Sequence, residues 1–111
     1  MDTSESPVEA GKKLFEAAKG GDLRTVRLLL SQGTETNWKN HNKCTPLIWA
    51  SRNGHLDIVK ELLAHNAFVN SPDVAGCTPL DDAAYNGYLN IAKEQLAHGA
   101  SVNTSNMATL G

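Results

Sequence analysis

Thiols, imidazoles and neighbouring carboxylates are the side chains of this sequence that could do chemistry. There are two cysteines, Cys44 and Cys77, four histidines, His41, His55, His65 and His98, and the adjacent acids Asp81 and Asp82. Two cysteines are too few for a disulfide framework, and they fall short of the four closely spaced ligands that a structural zinc site uses. Asp81 and Asp82 follow Thr78-Pro79, which places them in the first turn of a helix, where negative charge is favoured for structural reasons alone. No glycine-rich phosphate loop, nucleophile elbow or zinc-spaced cluster occurs. The sequence therefore supplies no catalytic residues, no metal site and no cofactor site, and the expectation is a protein that is not an enzyme.

The elements that must position these residues have to come from 111 residues, 41% hydrophobic and 20% charged, enough for one compact domain and no second. Net charge is −2, with ten Lys and Arg scattered among twelve Asp and Glu. Nucleic acid or an anionic membrane would call for a concentrated basic face, so neither is an expected partner. No stretch approaches the roughly 18 apolar residues of a membrane helix. Met1 to Glu9 is acidic and polar, unlike a secretory signal, so an intracellular setting, cytoplasmic or nuclear, is expected.

Self-similarity decides the architecture. Gly21, Gly54 and Gly87 are spaced by 33 residues, as are Leu14, Leu47 and Leu80, Leu23, Leu56 and Leu89, and Asn37, Asn70 and Asn103. Cys44-Thr45-Pro46-Leu47 recurs as Cys77-Thr78-Pro79-Leu80. Thr45 and Thr78 can cap helices whose first residues are Pro46 and Pro79, where a missing amide hydrogen costs nothing. Ser6-Pro7-Val8-Glu9 has the same form with capping-box spacing. Gly54 and Gly87 end these helices after about two turns, because glycine tolerates the left-handed backbone at a helix end. A second helix follows in each unit, with Leu56, Val59, Leu62 and Leu63 as one buried stripe in the middle unit. Gly33, Asn66 and Gly99 end the second helices. Extended fingers, such as Ala67 to Gly76, join one unit to the next.

Neither helix can bury its stripe within its own unit, so the units must stack in a row. Cys44 and Cys77 then occupy equivalent places in adjacent units. Helices pack about 8–10 Å apart, beyond the ~7 Å Cα limit for a disulfide, so both are expected to be free thiols. His65 and His98 share one helix-end position, where a cation-capable side chain complements the helix dipole.

Thr45-Pro46-Leu47, Ala50, Gly54-His55-Leu56, Ile58-Val59 and Leu62-Leu63, with Thr78-Pro79-Leu80, Ala83-Ala84, Gly87, Leu89, Ile91 and Gly99 to Asn103 one unit later, resemble the ankyrin repeat. Gly11 to Ala18 is similar to an amino-terminal repeat. The resemblance implies an all-α ankyrin-repeat solenoid of helix-turn-helix pairs joined by finger loops. Residues 6–106 form the domain, with repeats at about 8–40, 41–73 and 74–106, a disordered N-terminus at 1–5 and a C-terminal tail at 107–111. Thr104 to Gly111 begins like another finger without a further helix pair, the form a truncated array would have.

Some positions depart from the family pattern. The histidine that usually follows Thr-Pro-Leu is Ile48 and then Asp81, so the fingers are expected to lose the network it anchors. Lys43 stands where the second finger has Gly76, which makes the first finger the less regular one. Ala92 and Gln95 replace the Val59 and Leu62 of the middle unit, thinning the stripe as suits a terminal, solvent-facing unit. Asn37, Asn70 and Asn103 stand where some ankyrin repeats are hydroxylated on asparagine, although turn-forming asparagine is the favoured reading.

The function implied is protein–protein interaction, as a scaffold or adaptor acting as a monomer, or as a targeting or regulatory part of a larger protein. In ankyrin proteins the partner contacts come from finger tips and inner-helix ends. Position by position this selects Trp38, His41, Asn42 and Cys44 in the first finger and Val74, Ala75 and Cys77 in the second. On the inner helices it selects Lys19, Trp49, Arg52, Asn53, Tyr85 and Asn86. Trp38, Trp49, Arg52 and Tyr85 are the expected anchors, since aromatic and arginine side chains dominate binding energy. Trp49 could instead pack between inner helices, whereas Trp38 lies in a polar stretch with little apolar sequence nearby to cover.

Overall fold

A computed structural model describes residues 6–101. The expectations for residues 1–5, for Asn103 and for the tail that follows it lie outside the described residues. Among those residues there are six α-helices: α1 Pro7–Gly20, α2 Leu23–Ser31, α3 Pro46–Arg52, α4 Leu56–Ala64, α5 Pro79–Tyr85 and α6 Leu89–Ala97. Each consecutive pair forms one unit. In the inner row α3 packs between α1 and α5, and in the outer row α4 packs between α2 and α6.

The helix starts are made as the Thr-Pro pairs require. The Thr45 hydroxyl accepts from the Ile48 amide at 3.2 Å and that of Thr78 from the Asp81 amide at 3.2 Å, with proline beginning each helix. Asp81 returns the bond by accepting from the Thr78 amide at 3.0 Å, which closes a capping box. In the first unit the Ser6 hydroxyl accepts from the Glu9 amide. At the stops, Gly54 takes φ 78° and Gly87 φ 76°, and Asn66 reaches φ 68° where Gly33 and Gly99 serve the other units. Gly54 has a second reason to be glycine. A Cβ there would stand 2.8 Å from Tyr88 Cζ, as one on Gly21 would from His55 Cε1, so each ring lies flush on the glycine of the preceding unit.

One core runs through all three units. Leu14, Val26, Leu47, Ile58, Val59, Leu62, Leu80 and Ile91 are its most deeply buried large members, all essentially sealed from solvent. Each such side chain contributes about 1.5–3 kcal/mol of burial, and that burial exists only because a neighbouring unit covers the stripe. Leu63 is 6% exposed, while its counterpart Leu96 in the last unit is 42% exposed and Leu89 is 67% exposed, because no further helix lies against α6 among the described residues.

Two expectations are corrected. The first finger is built like the second. Asn40 Oδ1 accepts from the amides of Asn42 and Cys44, as Asp73 Oδ1 accepts from those of Ala75 and Cys77. Lys43 takes φ 61° where Gly76 takes φ 84°, at the cost of about 1–2 kcal/mol that a side chain incurs in this region. A carboxamide or carboxylate at that offset thus organises each turn in place of the family histidine, and Ile48 is spare to pack with Phe15 and Cys44 in a second, smaller apolar cluster.

The second concerns Gln95, which thins the apolar stripe of the solvent-facing last unit as expected but is itself fully buried. Its Nε2 donates to Ser51 Oγ on α3, Ser51 Oγ in turn donates to Leu47 O at 2.7 Å, and Gln95 Oε1 has no partner. An orphaned buried acceptor costs about 1–3 kcal/mol. Gln95→Leu, which restores the residue type of Leu62 in the middle unit, should therefore raise unfolding stability by about 1 kcal/mol in denaturant titration; an unchanged or lower stability would contradict this account of the site.

Candidate functional site

The ends of the inner helices form a ridge in which each unit is fastened to the next. Lys19 Nζ lies 4.6 Å from the centroid of the Trp49 ring and the Arg52 guanidinium carbon 4.7 Å from it, within the range of cation–π attraction. Arg52 also donates from Nε and Nη2 to both oxygens of Asp82, at 3.2 and 3.1 Å, and from Nη2 to Asp73 at 3.0 Å. Asp73 belongs to the second finger and Asp82 to α5, so one guanidinium joins α3, the finger and the next inner helix.

The two acids respond oppositely. Burial works to raise the Asp73 pKa, but amide donors from Cys77 and Ala75 together with Arg52 outweigh it, and the group is held below its ordinary value. Asp82 is more deeply buried, and desolvation prevails over the same arginine, so its pKa is raised. With a depressed folded-state pKa, Asp73 contributes stability above its ordinary carboxylate range, and that contribution is lost as pH falls through the depressed value.

The asparagines of the ridge perform the same fastening with neutral groups. Asn53 Nδ2 donates to Lys19 O at 2.9 Å, and Asn86 Nδ2 to Arg52 O at 3.3 Å and Asp82 O at 3.0 Å. Each satisfies carbonyls that a helix end leaves open. On the far side Asn37 Oδ1 accepts from Phe68 N and its Nδ2 donates to Asn66 O, a pattern that Asn70 repeats with Ser101 and Gly99. Both asparagines lie in turns, as expected, and they bridge adjacent units as well. His65 and His98 donate from Nδ1 to Glu61 O and Glu94 O, each at 3.0 Å, on the last turns of α4 and α6, the helix-end role expected of them.

The sequence-selected residues divide on this geometry. Tyr85 is 88% exposed and Val74 62% exposed. Ala75, His41, Asn42 and Asn86 are exposed too. Val74 N donates to Asn42 O at 3.0 Å, which draws the two finger tips together. Cys44 is buried, so it presents nothing to a partner; burial pushes its thiol pKa up, as it does for the half-buried Cys77, and both are free thiols.

Trp38 does have apolar surface to cover. Its ring meets Phe15 edge-on with centroids 5.4 Å apart, and it lies against Gly11 of α1, where a Cβ would come within 2.9 Å of Trp38 Cβ. Trp49 is half-buried against the same Phe15, Cys44 and Ile48 cluster. Missed among the selected residues were Lys39 and Lys43, both exposed beside His41. The alternation of Lys39, His41 and Lys43 along the first finger was the available signal.

A family model described as ankyrin repeats, in three copies, matches residues 14–106. The chain belongs to the ankyrin-repeat family. Ankyrin repeats are in general protein–protein interaction modules. Among curated proteins none matches the sequence. Within this ankyrin array no helix of the described residues is long and apolar enough to cross a membrane.

Arg52 generates the prediction. Arg52→Ala leaves two partly buried carboxylates without their cation and should cost about 2–4 kcal/mol of stability. Arg52→Lys should recover less than half of that, because an ammonium cannot span two carboxylates as a guanidinium fork does. Equal stability of the lysine variant and wild type in urea titration would show that the fork geometry is immaterial.

Proposed function

We propose that this chain binds a partner protein through the side of the stack formed by the finger tips and the inner-helix ends, with Tyr85 and Val74 as its apolar anchors and His41, Asn42 and Asn86 around them. The observation that carries this reading is the state of Tyr85. It occupies the place of Arg52 one unit on, yet where Arg52 is locked into Asp73 and Asp82, Tyr85 stands 88% exposed. A tyrosine held at a rigid helix end offers large area and a polar hydroxyl at little entropic cost, the character of binding anchors. Arg52, Trp49 and Trp38 serve chiefly to hold this face in shape, and the molecule acts as a non-catalytic scaffold or adaptor inside the cell.

Leu89 and Leu96 of α6, exposed among the described residues, favour a second reading, in which this array is a targeting or regulatory part of a larger protein.

The two kinds of aromatic residue separate in experiment. Tyr85→Ala should weaken a partner by about 2 kcal/mol or more, roughly thirtyfold, with melting temperature unchanged. Trp38→Ala should instead lower the melting temperature through lost packing on Phe15 and Gly11. A partner whose affinity ignores Tyr85→Ala and Val74→Ala together would refute the placement.

A further inference from the structure

The proposed binding face is polarised along the stack. At its amino-terminal end Lys39, His41 and Lys43 are exposed on the first finger and Lys19 on the end of α1. Lys19 stands over Trp49, whose ring packs in the cluster that roots this finger, so the four cation-capable groups share one end of the face. Among the described residues no carboxylate is ion-paired with Lys19, Lys39 or Lys43. Glu9 and Glu16 are exposed acids on the same inner helix, Glu16 one turn back from Lys19, and Glu35 is exposed ahead of the first finger, where it accepts from the Asn37 amide.

At the carboxyl-terminal end the acids are engaged internally: Asp73 and Asp82 by Arg52, and Asp81 in its capping box. What that end shows to solvent is uncharged, namely Val74, Ala75, Tyr85 and Asn86. A chain with a net charge of −2 thus places lysines without a carboxylate partner among the described residues at one end of one face and apolar area at the other.

We infer that the partner contributes an extended acidic segment that carries an apolar or aromatic residue at one end, the acids lying over Lys19, Lys39, His41 and Lys43 and the apolar residue against Tyr85 and Val74. This rests on the binding face proposed above and adds the chemistry of what it binds. Charge complementarity of this kind sets specificity and association rate more than raw affinity. The apolar end favours a polypeptide over nucleic acid, whose recognition needs a far more extensive basic surface.

The test is to pan a random peptide library against the whole chain and to measure the enriched peptides against Tyr85→Ala and against Lys39→Glu combined with Lys43→Asn, asparagine being tolerant of the positive φ at that position. Enriched peptides should be acidic with a terminal apolar or aromatic residue and should bind more weakly as salt rises. They should also lose at least about tenfold in affinity to either variant, at unchanged melting temperature.

Neutral or basic peptides that lose affinity to Tyr85→Ala would overturn the acidic assignment and leave the binding face standing. Peptides indifferent to Tyr85→Ala, or a library that yields none, would overturn both. A poly-uridylate strand that binds more tightly than the best peptide would replace the acidic polypeptide with nucleic acid.

Discussion

Burial that no unit can achieve alone is the constraint on which this molecule depends. A helix pair of seven and nine residues, such as α3 with α4, has apolar side chains on the surfaces that face the adjoining pairs, and Leu47, Val59 and Leu62 are sealed only because α1, α2, α5 and α6 flank them. Such short helices would be marginal in isolation. The same constraint explains the uneven outer row, where Leu63 is covered and Leu96 is not. Position in the row, rather than residue type, decides which leucines are core.

Polar groups then fix the register that burial leaves loose. Asn37 and Asn70 tie each loop to the next, Asn53 and Asn86 tie each inner helix to its predecessor, and Arg52 ties α3 to both the second finger and α5. Apart from the Arg52–Asp73 bond, which spans 21 residues, these bonds join residues about one repeat apart. The face left over, with Tyr85 and Val74 at one end and the lysines of the first finger at the other, is made of side chains for which no such bond to a neighbouring unit is found among the described residues. Binding capacity here is what remains after each unit has fastened itself to its neighbour.

Most of the fold could be read from the sequence because its signals are local. Thr45-Pro46 and Thr78-Pro79 start helices, Gly54, Gly87 and Asn66 stop them, and the 33-residue spacing of leucines forces a row. The site was less legible because its contacts cross units. Trp38 looked solvent-exposed from its polar neighbours in sequence, but Phe15 and Gly11, which it covers, belong to the preceding inner helix. Arg52 looked like a free anchor until Asp73 and Asp82 were seen to converge on it. Gln95 read only as a gap in the apolar stripe because its partner, Ser51, lies on another unit. Tyr85 kept its expected exposure, at 88%.

Native-state amide hydrogen exchange on Leu47→Ala tests the central claim most directly. Leu47 lies in the middle unit, and truncating so buried a leucine costs about 2–5 kcal/mol. If stability resides between units, protection should fall in α1, α2, α5 and α6 together with α3 and α4. Wild-type protection retained in either flanking pair while the middle unit alone opens would contradict it.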